Sequence, residues 1–293
     1  MILVFGTICL DRVRRLPHLP PLGGYVEVVS EQYMLGGEAA NTACALRAWG
    51  ADYLLAGNGL GSGPLADLLS HELADKGLQP VREHLIGGEA TPVCDVFVTD
   101  DGERTMIGLG FSSMGVGVDV DRLPYRKGAW FTAEPNMREA AYAATRLAHK
   151  RGMRLYTMDF VDDDAPLFPG SFWQSSTDWA GTRGDIAANL EFVRSWVDRY
   201  GCFAILTDGS QGLVFGSPET PATYLPAYPN DNVVDPTGSG DIFRAGMLYG
   251  LDSGWEIERC LQFASAAGSL ACRSLGATGT IPALTEIEAL ISS

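Results

Sequence analysis

Apolar positions along the chain fall into two rhythms. Short unbroken runs at 2–5, 53–56, 130–133, 155–158 and 203–207 alternate with longer segments whose apolar residues return every three or four positions. An unbroken apolar run of this length is what a strand covered on both faces requires. The longer segments, at 40–49, 64–76, 137–151, 185–200, 243–249 and 255–273, read as helices with one buried stripe. Within 137–151, for example, Ala140, Ala144, Leu147 and Ala148 make that stripe. Gly50, Gly77 and Gly152 stand just past three of these segments, where glycine stops a helix by adopting positive φ. Strand and helix taking turns predict an α/β fold of three layers, α/β/α, around a mostly parallel central sheet.

Two stretches break the rhythm. Residues 12–35 carry Pro17, Pro20, Pro21, Gly23 and Gly24, then strand-like pieces at 25–29 and 32–34. Residues 92–99 lead to the turn Asp100-Asp101-Gly102 and a partner at 103–107, which reads as a hairpin. Together they predict a small β-sheet lid, from about 12–35 and 91–110, inserted into a single domain covering 1–293.

Composition narrows the function. The 293 residues are 46% hydrophobic, enough for one large α/β core. A net charge of −15 argues against a general nucleic-acid or anionic-membrane surface. It leaves room for a nucleotide, because backbone N–H groups and Mg2+ hold phosphates locally. Cysteines at 9, 44, 94, 202, 260 and 272 form no C-x-x-C pair and the four histidines are scattered. No zinc pattern results, and reduced thiols in a cytoplasmic setting are expected. The first strand starts at residue 2 with no basic leader or long apolar run, so neither a signal peptide nor a membrane span is expected.

The candidate chemistry concentrates at 233–246. Val233 and Val234 read as the end of an apolar strand, Gly238-Ser239-Gly240 as a tight turn, and the residues from Phe243 on as a helix. Such a turn points several N–H groups without helical partners at one place, at the positive end of the helix dipole, which suits a phosphate. Asp241 sets a carboxylate in that first turn. It either complements the dipole, as any N-terminal Asp does, or acts as a general base beside a phosphoryl group. Glycine on both sides of Ser239 favours the base, since a structural cap needs no such clearance. Gly36-Gly37 opens another helix, where Asn41 offers a donor and acceptors to hydroxyl groups. Asp11 falls just past the first strand and Glu134 at the end of 130–133, where parallel sheets present ligand groups.

Asp235-Pro236-Thr237-Gly238-Ser239-Gly240-Asp241-Ile242-Phe243 resembles the C-terminal signature of the ribokinase-like (PfkB) family of carbohydrate kinases. Gly36-Gly37-Glu38-Ala39-Ala40-Asn41 resembles its N-terminal signature, about 200 residues earlier and in the family's order, and the resemblance covers nearly the whole chain. It implies ATP-dependent phosphorylation of a primary hydroxyl on a sugar or sugar-like polyol, with Mg2+ bridging the phosphates. By the same resemblance Asp241 is the base, Gly238, Ser239 and Gly240 form the anion hole, and Asp11, Gly37, Asn41 and Glu134 orient the acceptor. Thr207, Gly209, Gly212 and Ser265 then flank the nucleotide. Backbone oxygens near Asp235 and Thr237, with the closing loop 276–282, imply a monovalent-cation site for K+. The lid implies closure over the sugar and a homodimer.

The chain departs from the family pattern at two places. Glu38 stands where ribokinases proper commonly carry Lys, so ribose itself is not implied. The Asn-x-x-Glu signature that helps to place Mg2+ has no match in 161–185, where Asp178 and Asp185 are the available substitutes. Asp162-Asp163-Asp164 reads as a solvated loop, and the tryptophans of this zone, Trp173 and Trp179, as packing residues. Arg244, one turn beyond Ser239, either reaches an anion or faces solvent, and solvent is the preferred reading. Two other classes stay open. One is a non-catalytic sugar-binding regulator on the kinase scaffold, favoured by the missing Asn-x-x-Glu and opposed by the intact Gly-Ser-Gly-Asp. The other is a kinase for a nucleoside or a hydroxymethyl-pyrimidine vitamer, of which the lid and the Gly-Gly signature favour the nucleoside. A dinucleotide enzyme is disfavoured, because no G-x-G-x-x-G follows the first strand.

Overall fold

Every residue of the first strand, β1 (Ile2–Gly6), is buried. Side chains alternate across a strand, and this one feeds two cores: Ile2 and Val4 join one, Leu3 and Phe5 the other. In the computed structural model, which describes residues 1–80, 85–86, 90–100, 104–115 and 118–293, β1 lies inside a nine-stranded sheet. Its parallel neighbours are β4 (Tyr53–Asn58) and β8 (Trp130–Ala133), with Ile2 opposite both Tyr53 and Trp130. β5 (Leu85–Ile86) adds beyond β4. On the other side follow β9 (Arg154–Met158), β10 (Phe172–Ser176) and β11 (Phe203–Thr207), all parallel. The antiparallel strands β12 (Leu213–Gly216) and β13 (Thr223–Leu225) close that edge.

Helices cover both faces. α1 (Glu38–Ala48), α2 (Pro64–Asp75), α6 (Ser239–Asp252), α7 (Ile257–Ala271) and α8 (Leu284–Ile291) contribute to the core with Ile2 and Val4. α3 (Glu139–Lys150) and α5 (Ile186–Tyr200) supply the core with Leu3 and Phe5, while the one-turn α4 (Thr177–Ala180) follows β10. The six helices expected from the apolar rhythm are present, with ends shifted by about a turn or less. α6 and α7 approach closely, since a Cβ on Gly246 would lie 2.7 Å from Ala264 Cα.

The separate small sheet has the order β3-β2-β6-β7, from β2 (Cys9–Leu16), β3 (Ser30–Gly36), β6 (Val93–Thr99) and β7 (Arg104–Leu109). Val13, Val96 and Val98 form its own core. Residues 25–29, expected as strand, are irregular, and the first lid strand instead starts at Cys9. Asp11, expected just past the first strand, lies within β2, opposite Met34 and Cys94. The turn residues 101–103 of the expected hairpin lie outside the described residues, although β6 and β7 do pair antiparallel. β10 was not expected as a strand. Val233 and Val234, expected to end one, are irregular and 57% and 48% exposed.

Candidate active site

Three glycines clear space where the lid meets the sheet. A Cβ on Gly6 would fall 1.9 Å from Glu134 Oε2, and one on Gly36 would fall 2.0 Å from Asp11 Oδ1. Gly37 has φ 95°, and a Cβ there would lie 2.4 Å from the Thr7 carbonyl oxygen. Glu134 is fully buried just past β8, and its Oε1 accepts from the Thr7 amide at 2.5 Å. Asp11 accepts from Cys9 Sγ at 3.3 Å. Burial pushes Asp11 up to about 7, and burial together with the Glu38 charge does the same to Glu134.

α1 and α6 meet at their starts. Asn41 Nδ2 donates to Asp241 Oδ2 at 2.8 Å, and Thr42 Oγ1 approaches the Asp241 carbonyl at 3.3 Å. Asp241 is 5% exposed, in the first turn of a helix whose N-cap, Gly238, has φ 77°. A side chain at Gly238 would collide with Ala277, its Cβ 2.4 Å from Ala277 Cβ. Of the turn's amides, Ser239 N donates to the Pro236 carbonyl at 3.2 Å. Gly240 is open: its hypothetical Cβ meets only Gln174 Nε2, at 3.8 Å. That same amide donates to the Gly240 carbonyl at 3.0 Å, and Gln174 Oε1 accepts from the Tyr156 hydroxyl at 2.8 Å.

Arg244 corrects an expectation. It does not face solvent but is fully buried. Its Nε donates to Thr42 Oγ1 at 2.9 Å, and its Nη2 donates to the Glu38 carbonyl at 2.5 Å and to Asp241 Oδ1 at 3.3 Å. Around it stand Glu38, Glu134, Asp159 and Asp241. Burial raises all four carboxyl groups, and the guanidinium charge opposes the rise in each. Asp241 is raised well above the ordinary carboxylate range, by burial first and by Glu38 and Glu134 besides. Asp159, just past β9, reaches about 7 and holds a left-handed φ of 58° while accepting from Ser175 Oγ at 2.7 Å. A non-glycine residue held there is a feature that gathers at functional sites.

The loop after β11 is built differently. Thr207 ends β11, and its hydroxyl donates to the Ser175 carbonyl at 3.2 Å. The neighbouring Asp208 accepts from Thr177 Oγ1 at 2.7 Å, Gly184 N at 2.9 Å and Asn189 Nδ2 at 3.1 Å, which fixes the loop behind it. Gly209 (φ 53°) and Gly212 (φ 100°) bound the turn, and only Gly212 is closely packed, against the Leu225 carbonyl. Ser265 is half-buried on α7. Asp178 is exposed and pairs with Arg183 at 3.6 Å, whereas Asp185 caps α5 by accepting from Ala188 N at 3.0 Å. Trp173 is buried and Trp179 is 65% exposed. Asp235 spends its carboxylate on Thr237 N (2.9 Å), Thr237 Oγ1 (2.6 Å) and Gly276 N (2.8 Å). The closing loop also reaches the lid: Thr278 Oγ1 donates to the Leu35 carbonyl at 2.9 Å, and Gly276 lies against Met34.

The structure therefore brings Asp11, Gly37, Asn41, Glu134 and Asp241 to the junction of lid and sheet, and sets Thr207, Gly209 and Gly212 on the loop after β11. It adds Glu38, Thr42, Asn136, Tyr156, Asp159, Gln174 and Arg244 around Asp241. Of these, Asp159 at the end of an apolar run is the one with a sequence signal like that of Glu134. Among the described residues no group of three or more His, Cys, Asp or Glu is placed to hold a metal. Nor is any described helix long and apolar enough to cross a membrane.

A helix start that carries a buried carboxylate, on a mostly parallel sheet covered by helices on both faces and joined to a separate small sheet, belongs to a ribokinase-like fold. The family model described as pfkB family carbohydrate kinase matches residues 1–113 and 177–284. An uncharacterized sugar kinase of Dictyostelium discoideum is 30% identical over 97% of this chain and 95% of its own. The chain belongs to the pfkB family of carbohydrate kinases, phosphotransferases with an alcohol acceptor, and is a sugar or nucleoside kinase. The fold is shared with the ribokinase of Arabidopsis thaliana complexed with ribose and ATP, at TM-score 0.80 and 19% identity over 100% of this chain and 98% of that one. It is shared also with a nucleoside kinase of Burkholderia thailandensis in complex with inosine, at TM-score 0.77 and 20% identity over 100% and 96%. The interval 114–176, which holds Glu134, β9 and β10, lies outside the family match.

Proposed function

We propose that this chain transfers the γ-phosphoryl group of ATP to a primary hydroxyl of a sugar or sugar-like polyol, with Asp241 as general base. The observation that carries the proposal is the seat of Asp241: a carboxylate one residue past Gly240, with Oδ2 held by Asn41 and Oδ1 by Arg244. The open space before Gly240, at the positive end of α6, fits a phosphate. ATP would supply the phosphoryl group and Mg2+ would offset its charge.

Asp241 takes the acceptor's hydroxyl proton as that oxygen attacks, while Gly238, Ser239 and Gly240 stabilise charge on the transferring oxygens. Asn41 has its amide nitrogen engaged by Asp241, so its unpartnered Oδ1 receives a substrate hydroxyl. Glu134 Oε2 is unpartnered in the same way, and Asp11 and Gly37 complete the acceptor side. Thr207, Gly209, Gly212 and Ser265 flank the nucleotide, and backbone oxygens near Asp235 and Thr237 take K+. The lid closes over the site and excludes water that would otherwise hydrolyse ATP. Met106, Ile107 and Leu109 on the lid strand β7 are 54%, 57% and 68% exposed, which suits a homodimer through the lid. A monomeric sedimentation profile at micromolar concentration would remove that part.

The test is ADP release with Mg2+ and ATP against pentoses, ketohexoses, sugar acids and nucleosides, with Asp241→Asn as control. One acceptor giving Asp241-dependent turnover establishes the class. The nucleoside arm is included because of the likeness to the nucleoside kinase fold. Silence across the panel with ATP still bound would place the acceptor outside these four classes.

A further inference from the structure

We infer that Arg244 is a positioning residue: from within α6 it fixes the Asp241 carboxylate and, through Glu38 and Thr42, locks the starts of α1 and α6 in one register. The inference rests on the reading of Asp241 as the base. Its geometry is independent of that reading. One guanidinium, fully buried, grips Asp241 Oδ1 three residues back on its own helix and reaches two groups on α1 more than 200 residues away. Thr42 closes the clasp, because its hydroxyl also donates to the Glu38 carbonyl at 2.9 Å. Arg244 and Asn41 therefore hold Asp241 from two sides, one oxygen each. A planar fork holds its donors in fixed, spread directions and so serves a carboxylate, a carbonyl and a hydroxyl at once, whereas an ammonium gathers its donors at one point on a flexible stem.

The surroundings show why such a grip is needed. Glu38 on α1, Glu134 past β8 and Asp159 past β9 are the carboxyl groups around the guanidinium besides Asp241, and Tyr156 faces it from β9. Glu38 and Glu134 both act against the charged form of Asp241, and burial adds to them. Removal of Arg244 leaves those influences unopposed on that side. The Asp241 carboxyl then holds its proton to higher pH and loses one of its two anchors, so both the fraction of active base and its aim decline.

The experiment compares Arg244→Met and Arg244→Lys by kcat against pH on the acceptor found with the panel, with circular dichroism and nucleotide binding as folding controls. Arg244→Met is expected to lower kcat about 10²-fold. Its acid limb should move to higher pH, while KM for nucleotide changes little. Arg244→Lys, which keeps the charge and loses the fork, should restore the acid limb more fully than kcat. In an Asp241→Asn background Arg244→Met should cost little more, because its effect passes through Asp241. Folded Met and Lys variants with wild-type kcat and an unmoved acid limb would overturn the inference, as would failure of both to fold. If Asp241→Asn alone retains full turnover, the reading of the base fails instead. If Asp241→Asn is inactive and the Arg244 variants are not impaired, this inference alone fails.

Discussion

α1 and α6 begin alike and end up with different work. Each follows a glycine of positive φ, Gly37 at 95° and Gly238 at 77°, and neither N-cap makes a side-chain cap. Each carries an acid in its first turn, Glu38 and Asp241. Yet Asp241 has a donor on each carboxylate oxygen, whereas Glu38 has Asn136 on Oε1 at 2.8 Å and nothing on Oε2. The dipole of a helix start favours any anion. On the reading proposed for Asp241, what singles out one acid as a base is the aim of its oxygens and the charges set around it, and Glu38 is one of those charges.

Asp241→Asn should cut kcat by about 10²–10⁴ and leave nucleotide binding nearly intact, measured by ADP release and calorimetry. An equal loss from Glu38→Gln would mean that the two helix starts are not distinguished. Gly238→Ala meets both a positive φ and Ala277, and should cost about 2–3 kcal/mol of stability in a urea titration. Glu38→Gln removes a charge that raises Asp241, so the acid limb of the kcat–pH profile should shift to lower pH. A shift the other way would show that Glu38 does not act on the base by its charge.

The smallest effect concerns stability against pH. Glu134 has a folded-state pKa of about 7 against an ordinary 4.5, raised first by burial. A raised group contributes stability that is full below its unfolded value and is lost as pH climbs through the folded one. Melting temperature should therefore fall for the wild type between about pH 4.5 and 7, and Glu134→Gln should flatten that part of the decline. A decline of the same slope in the variant would assign it to Asp11 and Asp159, which reach similar values.

Much of the architecture was legible because parallel strands buried on both faces announce themselves as unbroken apolar runs. β10 was not, because Gln174 and Ser175 inside it are polar and buried, satisfied by Tyr156, Gly240 and Asp159 from other elements. Val233 and Val234 failed the opposite way, apolar in sequence and exposed in the fold. Arg244 misled for a related reason. Hydropathy sends a charged residue on a helix to water, and the partners that keep this one inside come from α1, far along the chain. Asp11 was found as a candidate but not as a lid residue, since the turn from β1 into β2 is too short to announce a second sheet.

Gly276 donates to Asp235, which shapes the turn before α6, and two residues later Thr278 donates to Leu35 on the lid strand β3. Strand β3 of the small sheet and the turn that leads to Asp241 are thus both held by one three-residue segment, through the Thr278 hydroxyl and the Gly276 amide. A cut or an inserted linker at 276–278 would leave the sheet and its cores untouched, yet it would uncouple the roof of the site from its floor.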